Sequence, residues 1–390
     1  MYYFITWFLI ALSAFANYNK CPTIARRIFV KIAWWMLVLI AGLRYETGVD
    51  YLAYVNIYNE SSPLSTFSFD DTYIEPAYAL LNSLFKSLGF DINIMFLLVS
   101  YISINFMFNS YKKYATEKYY MIGVLMYYSI TYFLLDMSGV RQVIALNLFV
   151  YSIRFINTNR FFHFLLFIVI ASLFHRSAII LLVVYPISKC YIKSWIHLLL
   201  LSVGILFMLL KIKWIEFMFS LISLLFVSGP LATKLLDFTT NSFFQIERSL
   251  TVGIVLYVPV FVLAVCKRKR LETITPYYNI ILNIFLFFII TVFYLYESYD
   301  ISNRFSSYFS FSFGLCLAFL LSQLKQKKYN LFLGFCIVFF ISLFAMRNTI
   351  LPTSTSIMYH PYQNYIFAKM GIVESTAEQR LKKFDNINNN

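Results

Sequence analysis

The fold class predicted by this 390-residue sequence is all-α, a polytopic integral membrane protein of about 12 helical spans. Three observations carry that prediction. Apolar residues make up 60% of the chain and charged residues 13%, a balance that cannot describe a soluble globule of this length. The apolar residues recur in runs near the length a bilayer-crossing helix needs, about 20 residues with a range of ~17–25. The basic residues that bring the formal net charge to +14 cluster in alternate short segments between those runs. Such clustering marks the cytoplasmic side of a membrane rather than a nucleic-acid partner.

In chain order, the run 2–16 has no basic residue before it and reads as a retained first helix, not a cleaved leader. Lys20, Arg26, Arg27 and Lys31 then separate it from 28–43. Residues 44–90 form an outer loop with two short interfacial helices. In the first, Asp50, Tyr54 and Tyr58 recur at i, i+4 and i+8 on one stripe. The second, Ile74 to Leu88, is too short and polar to cross and carries Pro76 in its first turn. Spans at 92–111 and 119–136 flank Lys112, Lys113 and Lys118; spans at 138–156 and 161–174 flank Arg154 and Arg160. The runs 177–189 and 194–211 follow, with Lys189 and Lys193 between them. Residues 211–248 are a second outer loop. Spans at 249–266 and 277–295 enclose Lys267, Arg268, Lys269 and Arg270; those at 304–323 and 329–346 enclose Lys325, Lys327 and Lys328. The amino terminus is thereby outside, the chain 1–390 is one transmembrane domain, and the Lys- and Asn-rich tail 366–390 reads as flexible. Long internal repeats are not apparent. Cys21, Cys190, Cys266, Cys316 and Cys336 form no C-x-x-C pair and suggest neither zinc nor redox chemistry.

On this topology Arg44, Arg141, Arg176 and Arg304 all fall at run ends on the outer side, where basic residues are avoided. Arg44 lies in Gly42-Leu43-Arg44-Tyr45-Glu46-Thr47-Gly48-Val49-Asp50, where the turn at Gly48 lets Arg44, Glu46 and Asp50 converge; the plainer reading is a snorkelling helix-end arginine beside loop carboxylates. Arg141, followed by Gln142, and Arg304, followed one turn on by Tyr308, open helices, so each adds a cation to an end that already bears partial positive charge unless an anion sits there. Neutralisation by Asp136 or a lipid phosphate for Arg141, or by Glu297 and Asp300 for Arg304, is the alternative. His175, beside Arg176 and Ser177 in a short outer turn, suits a general base or a donor to sugar or phosphate oxygens, or is interfacial filler. The loop Tyr359-His360-Pro361-Tyr362-Gln363-Asn364-Tyr365 suits sugar stacking, as it suits an aromatic belt. There is no G-x-x-x-x-G-K-[ST] loop, no G-x-S-x-G element and no outer D-x-D triplet, Asp70-Asp71 being the nearest approach, so neither ATP, a serine nucleophile nor a metal or other cofactor is expected.

Arg44 with Gly48, Asp50 and Tyr54, then Glu75-Pro76, Arg141-Gln142, His175 with Ser177, Arg304 with Tyr308, and Pro361-Tyr362 form an ordered set that resembles the EpsG-like group of Wzy-type polysaccharide polymerases, over about residues 40 to 365. The resemblance implies a GT-C-like glycosyltransferase of the bacterial inner membrane with its site facing the periplasm. Its partners would be undecaprenyl-pyrophosphate-linked oligosaccharides, membrane lipids and a chain-length-regulating co-polymerase. It would move a growing O-antigen or exopolysaccharide chain from one carrier to the non-reducing end of the next repeat unit.

On that reading Arg141 and Arg304 hold the donor pyrophosphate, and Asp50 or His175 takes the acceptor proton. Arg44, Glu46, Tyr54, Glu75, Gln142, Arg176, Tyr308 and Tyr362 are the expected binding residues. With no visible nucleophile and acid pair, inversion by single displacement is favoured. Three rivals stand beside it. An O-antigen ligase has a larger late outer loop than 211–248, a flippase carries charge within two similar halves, and a membrane acyltransferase has adjacent His and Asp.

Overall fold

The computed structural model describes residues 1–19, 22–69, 73–218, 246–248, 252–324, 328–351 and 353–388. Asp70-Asp71, most of the expected 211–248 loop, Lys20, Cys21, Lys325 and Lys327 lie outside them. Among the described residues the chain is helical, with one isolated bridge, Arg44 to Asn364.

In order the helices are α1 (Tyr2–Tyr18), α2 (Thr23–Gly42), α3 (Tyr51–Glu60), α4 (Pro76–Ser87) and α5 (Ile92–Tyr114). They continue as α6 (Tyr120–Leu135), α7 (Val140–Asn157), α8 (Phe161–Phe174), α9 (Val184–Lys189), α10 (Ser194–Leu209), α11 (Val252–Cys266) and α12 (Tyr278–Phe293). The chain ends with α13 (Tyr299–Phe309), α14 (Phe311–Ser322), α15 (Lys328–Ile350), α16 (Thr353–Tyr359), α17 (Tyr365–Lys369) and α18 (Ala377–Asn388).

Each expected run contains a helix, but the count of twelve spans is not carried by length and composition. Ile92–Tyr114 and Tyr329–Ile350 are long and apolar enough to cross a membrane alone, and α13 with α14, bent by 47°, form a third candidate. Six other apolar helices are shorter. α2 has the length, 20 residues or about 30 Å, but carries Arg26, Arg27 and Lys31.

Three boundaries differ from expectation. The run 177–189 begins as a 3-10 helix, Arg176–Val183, before α9; the 3-10 rise of about 2.0 Å per residue lets a short run reach further than an α-helix would. The span expected at 304 starts at Tyr299, because Ser298 caps it by accepting the Ile301 N–H. Arg304 therefore sits within α13 rather than opening it. The tail expected to be flexible instead carries α17 and α18, and α18 lies against α16 and α3. Its Lys- and Asn-rich composition hid Arg380, which is 2% exposed and donates to the carbonyls of Pro361 (2.7 Å) and Met358 (3.3 Å) and to Ser375 Oγ (2.9 Å). We expect Arg380→Ala to cost at least ~2 kcal/mol locally, since bonds from a charged donor are lost in a buried site. Limited proteolysis should then cleave between residues 365 and 388 in the variant, and not in the native chain.

α1, α2, α5 and α7 pack in sequence, α7 against α8, and α6 against α14. The polar interruptions of the apolar runs are satisfied inside their own helices: Asn17, Ser129, Asn147 and Thr291 each donate to a carbonyl four residues back. α2 approaches α5 closely at Gly42, where a Cβ would lie 2.8 Å from Leu97 Cα. A second, smaller core of Tyr51, Tyr54, Tyr78, Met95, Phe96 and Val140 binds α3 and α4 onto the start of α5 and α7. That cap, at one end of the bundle, supports the candidate site.

Candidate functional site: a cluster of cations at one end of the bundle

The site is built from helix ends. Arg44 follows α2, Asp50 precedes α3, Glu75 precedes α4, Arg141 lies in the first turn of α7, His175 follows α8 and Arg304 lies on α13. The α3 stripe expected from the spacing turns inward, with Tyr54 and Tyr58 buried. Tyr54 Oη accepts the Arg141 backbone N–H at 3.4 Å, while Tyr58 donates to the Phe90 carbonyl and is committed to the fold.

Arg141 does not pair with Asp136, the carboxylate nearest in sequence, which is buried and accepts from Tyr127. It pairs with Glu75, Nη1 to Oε2 at 2.6 Å, and lies over the Tyr54 and Tyr78 rings. Glu75 Oε1 faces the Arg176 backbone N–H at 3.4 Å and His175 Nδ1 at 3.6 Å. Burial pushes the Glu75 carboxyl up, but His175 and the Arg141 charge overcome it and bring it down to about 2. Glu75 is therefore anionic at any working pH. Arg141 Nε and both His175 ring nitrogens are buried without a hydrogen-bond partner.

Arg44 is 1% exposed, and its guanidinium lies 4.1 Å above the Phe96 ring. Nη1 donates to the Ala41 carbonyl at 2.5 Å, while Nε and Nη2 have no partner. It is an interior cation and not a snorkelling one. Asp50 is solvent-accessible, yet enough protein surrounds it that burial raises its carboxyl pKa; the Arg141, Arg304 and Arg44 charges oppose that rise. All three arginines act on this carboxylate through their charge, while Arg141 and Arg304 have direct partners in Glu75 and Asp300.

The loop carrying Asp50 is held from both sides. Gly48 adopts φ +115° and donates to the Met358 carbonyl at 2.9 Å; Val49 N–H donates to Ser138 Oγ, itself bonded to Tyr359 Oη at 2.9 Å.

Other expected residues are placed differently. Glu46 accepts the Ala377 N–H at 2.6 Å and anchors α18. Gln142 donates to the Arg304 carbonyl and to Ser307 Oγ, both at 2.7 Å, so it ties α7 to α13. Arg304 pairs with Asp300 at 2.9 Å, whereas Glu297 caps the N–H groups of Ile215 and Glu216. Arg176 is exposed, and Tyr308 is buried with its hydroxyl 3.1 Å from Ser177 Oγ. Tyr362 donates to the Ile40 carbonyl and lines a separate cavity beside α1 with Tyr2 and His360. Asp50, Arg44, Tyr54, Glu75, Arg141, His175 and Arg304 form the cluster; Glu46 and Tyr362 flank it.

Sequence reasoning missed Arg248, whose Nη1 donates to Ser302 Oγ at 2.7 Å on the face of α13. It lay in a loop without pattern, and its one signal was the serine spacing Ser302, Ser306, Ser310 opposite. Among the described residues no three His, Cys, Asp or Glu side chains are disposed to hold a metal ion.

The model of the EpsG family matches residues 27–365 of the chain. No curated protein and no solved structure matches it.

Proposed function

Because the chain belongs to the EpsG family, we propose that this membrane protein is a polysaccharide polymerase that joins undecaprenyl-pyrophosphate-linked repeat units at the face bearing Arg141. The observation that carries the reading is the set of guanidinium groups around one accessible carboxylate, with N–H groups of Arg44 and Arg141 left unpaired. A pyrophosphate-linked sugar needs those two functions, anion binding and proton acceptance.

In the proposed step the acceptor hydroxyl oxygen bonds to the donor anomeric carbon as the C–O bond to pyrophosphate breaks. Asp50 takes the hydroxyl proton, and the lipid pyrophosphate leaves as an anion between Arg141 and Arg304. Arg44 adds charge from beneath. Glu75 keeps Arg141 extended, and its own fixed charge keeps the His175 side of the cluster from being uniformly positive. Neutralisation by arginine makes a divalent metal unnecessary, and attack on the carbon without a protein nucleophile predicts inversion at the anomeric centre.

The test is polymerisation by purified protein in nanodiscs, supplied with lipid-pyrophosphate-linked repeat units, without ATP and with chelator. A ladder at repeat-unit spacing is expected. Intact substrate would refute the reading, and single transfer to a lipid A core acceptor would make the protein a ligase.

The raised Asp50 carboxyl gives a signed pH dependence. The base must be deprotonated, so the acidic limb of the rate profile should lie above the ordinary carboxylate range of about 3.9. Arg304 lowers the Asp50 pKa; Arg304→Ala should therefore move that limb to higher pH as well as slowing turnover. An unmoved limb would exclude Asp50 as the base.

A further inference from the structure

At the end of the bundle opposite the arginine cluster, a cavity of about 280 Å³ lies between α1, α2, α5 and the start of α6. Its placement follows from the helices. α2 runs from Thr23 toward Arg44, and α5 runs back from Asp91, which accepts from Tyr365 beside the Arg44–Asn364 bridge. The start of α2 and the end of α5 therefore meet some 30 Å away.

The cavity is lined by Arg26, Arg27, Lys31 and Lys112, with Glu117 the one carboxylate. Glu117 pairs with Lys112 at 3.1 Å. Arg26, Arg27 and Lys31 have no carboxylate partner among the described residues. Arg26 also closes the first turn of α2, where the helix's own N–H groups add positive charge, and Arg27 and Lys31 repel each other at i, i+4. A cytoplasmic-side loop that only sets topology can spread its charges into solvent. These converge on one concavity, which favours an anion there.

The same helix carries an apolar stripe. Ile24 is 76% exposed, Ile28 51%, Ile32 40% and Trp35 50%, recurring at i, i+4, i+8 and i+11. On a 3.6-residue helix Arg27 and Lys31 fall beside that stripe. A free phosphate would use the cavity alone, whereas a lipid uses both the cavity and the stripe beside it, its phosphates in the cavity and its acyl chains along α2. We propose that this is a binding site for an anionic phospholipid with more than one phosphate, of the diphosphatidylglycerol type.

The full-length protein in detergent is mixed with diphosphatidylglycerol or phosphatidylcholine, and retained lipid is measured by native mass spectrometry. Preferential retention of diphosphatidylglycerol is expected. Arg27→Gln with Lys31→Gln should weaken it roughly thirtyfold, from the attraction of each cation to anionic lipid. Lys267→Gln with Lys269→Gln, the same charge loss from another exposed basic segment, should leave it unchanged. If the first variant does not fold, Arg26→Gln alone should still weaken retention. Equal retention of both lipids, or equal loss in both double variants, overturns the site. Inorganic pyrophosphate is the third arm: binding that depends on Arg27 and Lys31 without any lipid preference would show a soluble-anion pocket and overturn the lipid proposal.

Discussion

Arg141→Ala should lower the rate of polymerisation by ~10²–10³, the effect of losing one contact that strengthens as anionic charge develops on the leaving group. The same change removes the partner of Glu75, whose side chain is 9% exposed. An uncompensated buried carboxylate costs about 3–5 kcal/mol, so loss of activity could simply reflect a loosened cap. Two further variants separate these effects. Arg141→Ala combined with Glu75→Gln removes both charges and should recover most of the thermal stability while the rate stays low. Arg141→Lys keeps the charge but cannot present the planar fork, and should fall between native and alanine. Restored turnover in the double variant would show that Arg141 serves the fold and not the reaction.

Gly48→Ala should be nearly as damaging without touching a charged group. A Cβ at this position would lie 2.2 Å from the Met137 carbonyl oxygen, and φ +115° is strained for any residue with a side chain. The obstacle is backbone at both ends of the contact, so relief requires the 45–49 turn to leave the α6–α7 junction. The expected cost is about 2–4 kcal/mol from overpacking and backbone strain together. Asp50 is two residues away, and a shift of ~1 Å in a reacting group can cost about a hundredfold in rate. Thermal unfolding and the ladder assay together check this. Unfolding at the native temperature would mean that the turn is not held as the contact implies.

How much of this was legible in the sequence depends on whether a residue's partner was local. Periodicity placed α3 and turned Asp50, Tyr54 and Tyr58 to one side, because the 3.6-residue repeat is a property of the segment itself. Pro76 marked the first turn of α4 for the same kind of reason. Arg141 was correctly set in the first turn of a helix, yet its partner could not be read: Glu75 is 66 residues away, and the nearby Asp136 was the tempting choice. Arg304 was misplaced because an apolar run marks where a helix becomes hydrophobic, not where it begins; the polar first turn from Ser298 stood outside the run. The helix in the tail is not legible in its composition, since one buried arginine among Lys and Asn does not alter a composition. The family-level resemblance over 40 to 365 agrees with the match over 27–365.

The Arg380 anchorage also sets an order of events during synthesis. Glu46 meets the Ala377 N–H across 331 residues and Thr47 meets Arg380 across 333. At ~5–20 residues per second, the 44–50 turn waits roughly 15–65 s after its own synthesis for the segment that clasps it. Throughout that interval Arg44 and Asp50 stand on an unfinished cap, and a chain released before Ala377 has the helices of the bundle but lacks the clasp. Assembly of the site thus waits on synthesis of the 377–380 segment, and is timed by the ribosome and not by the folding of the bundle.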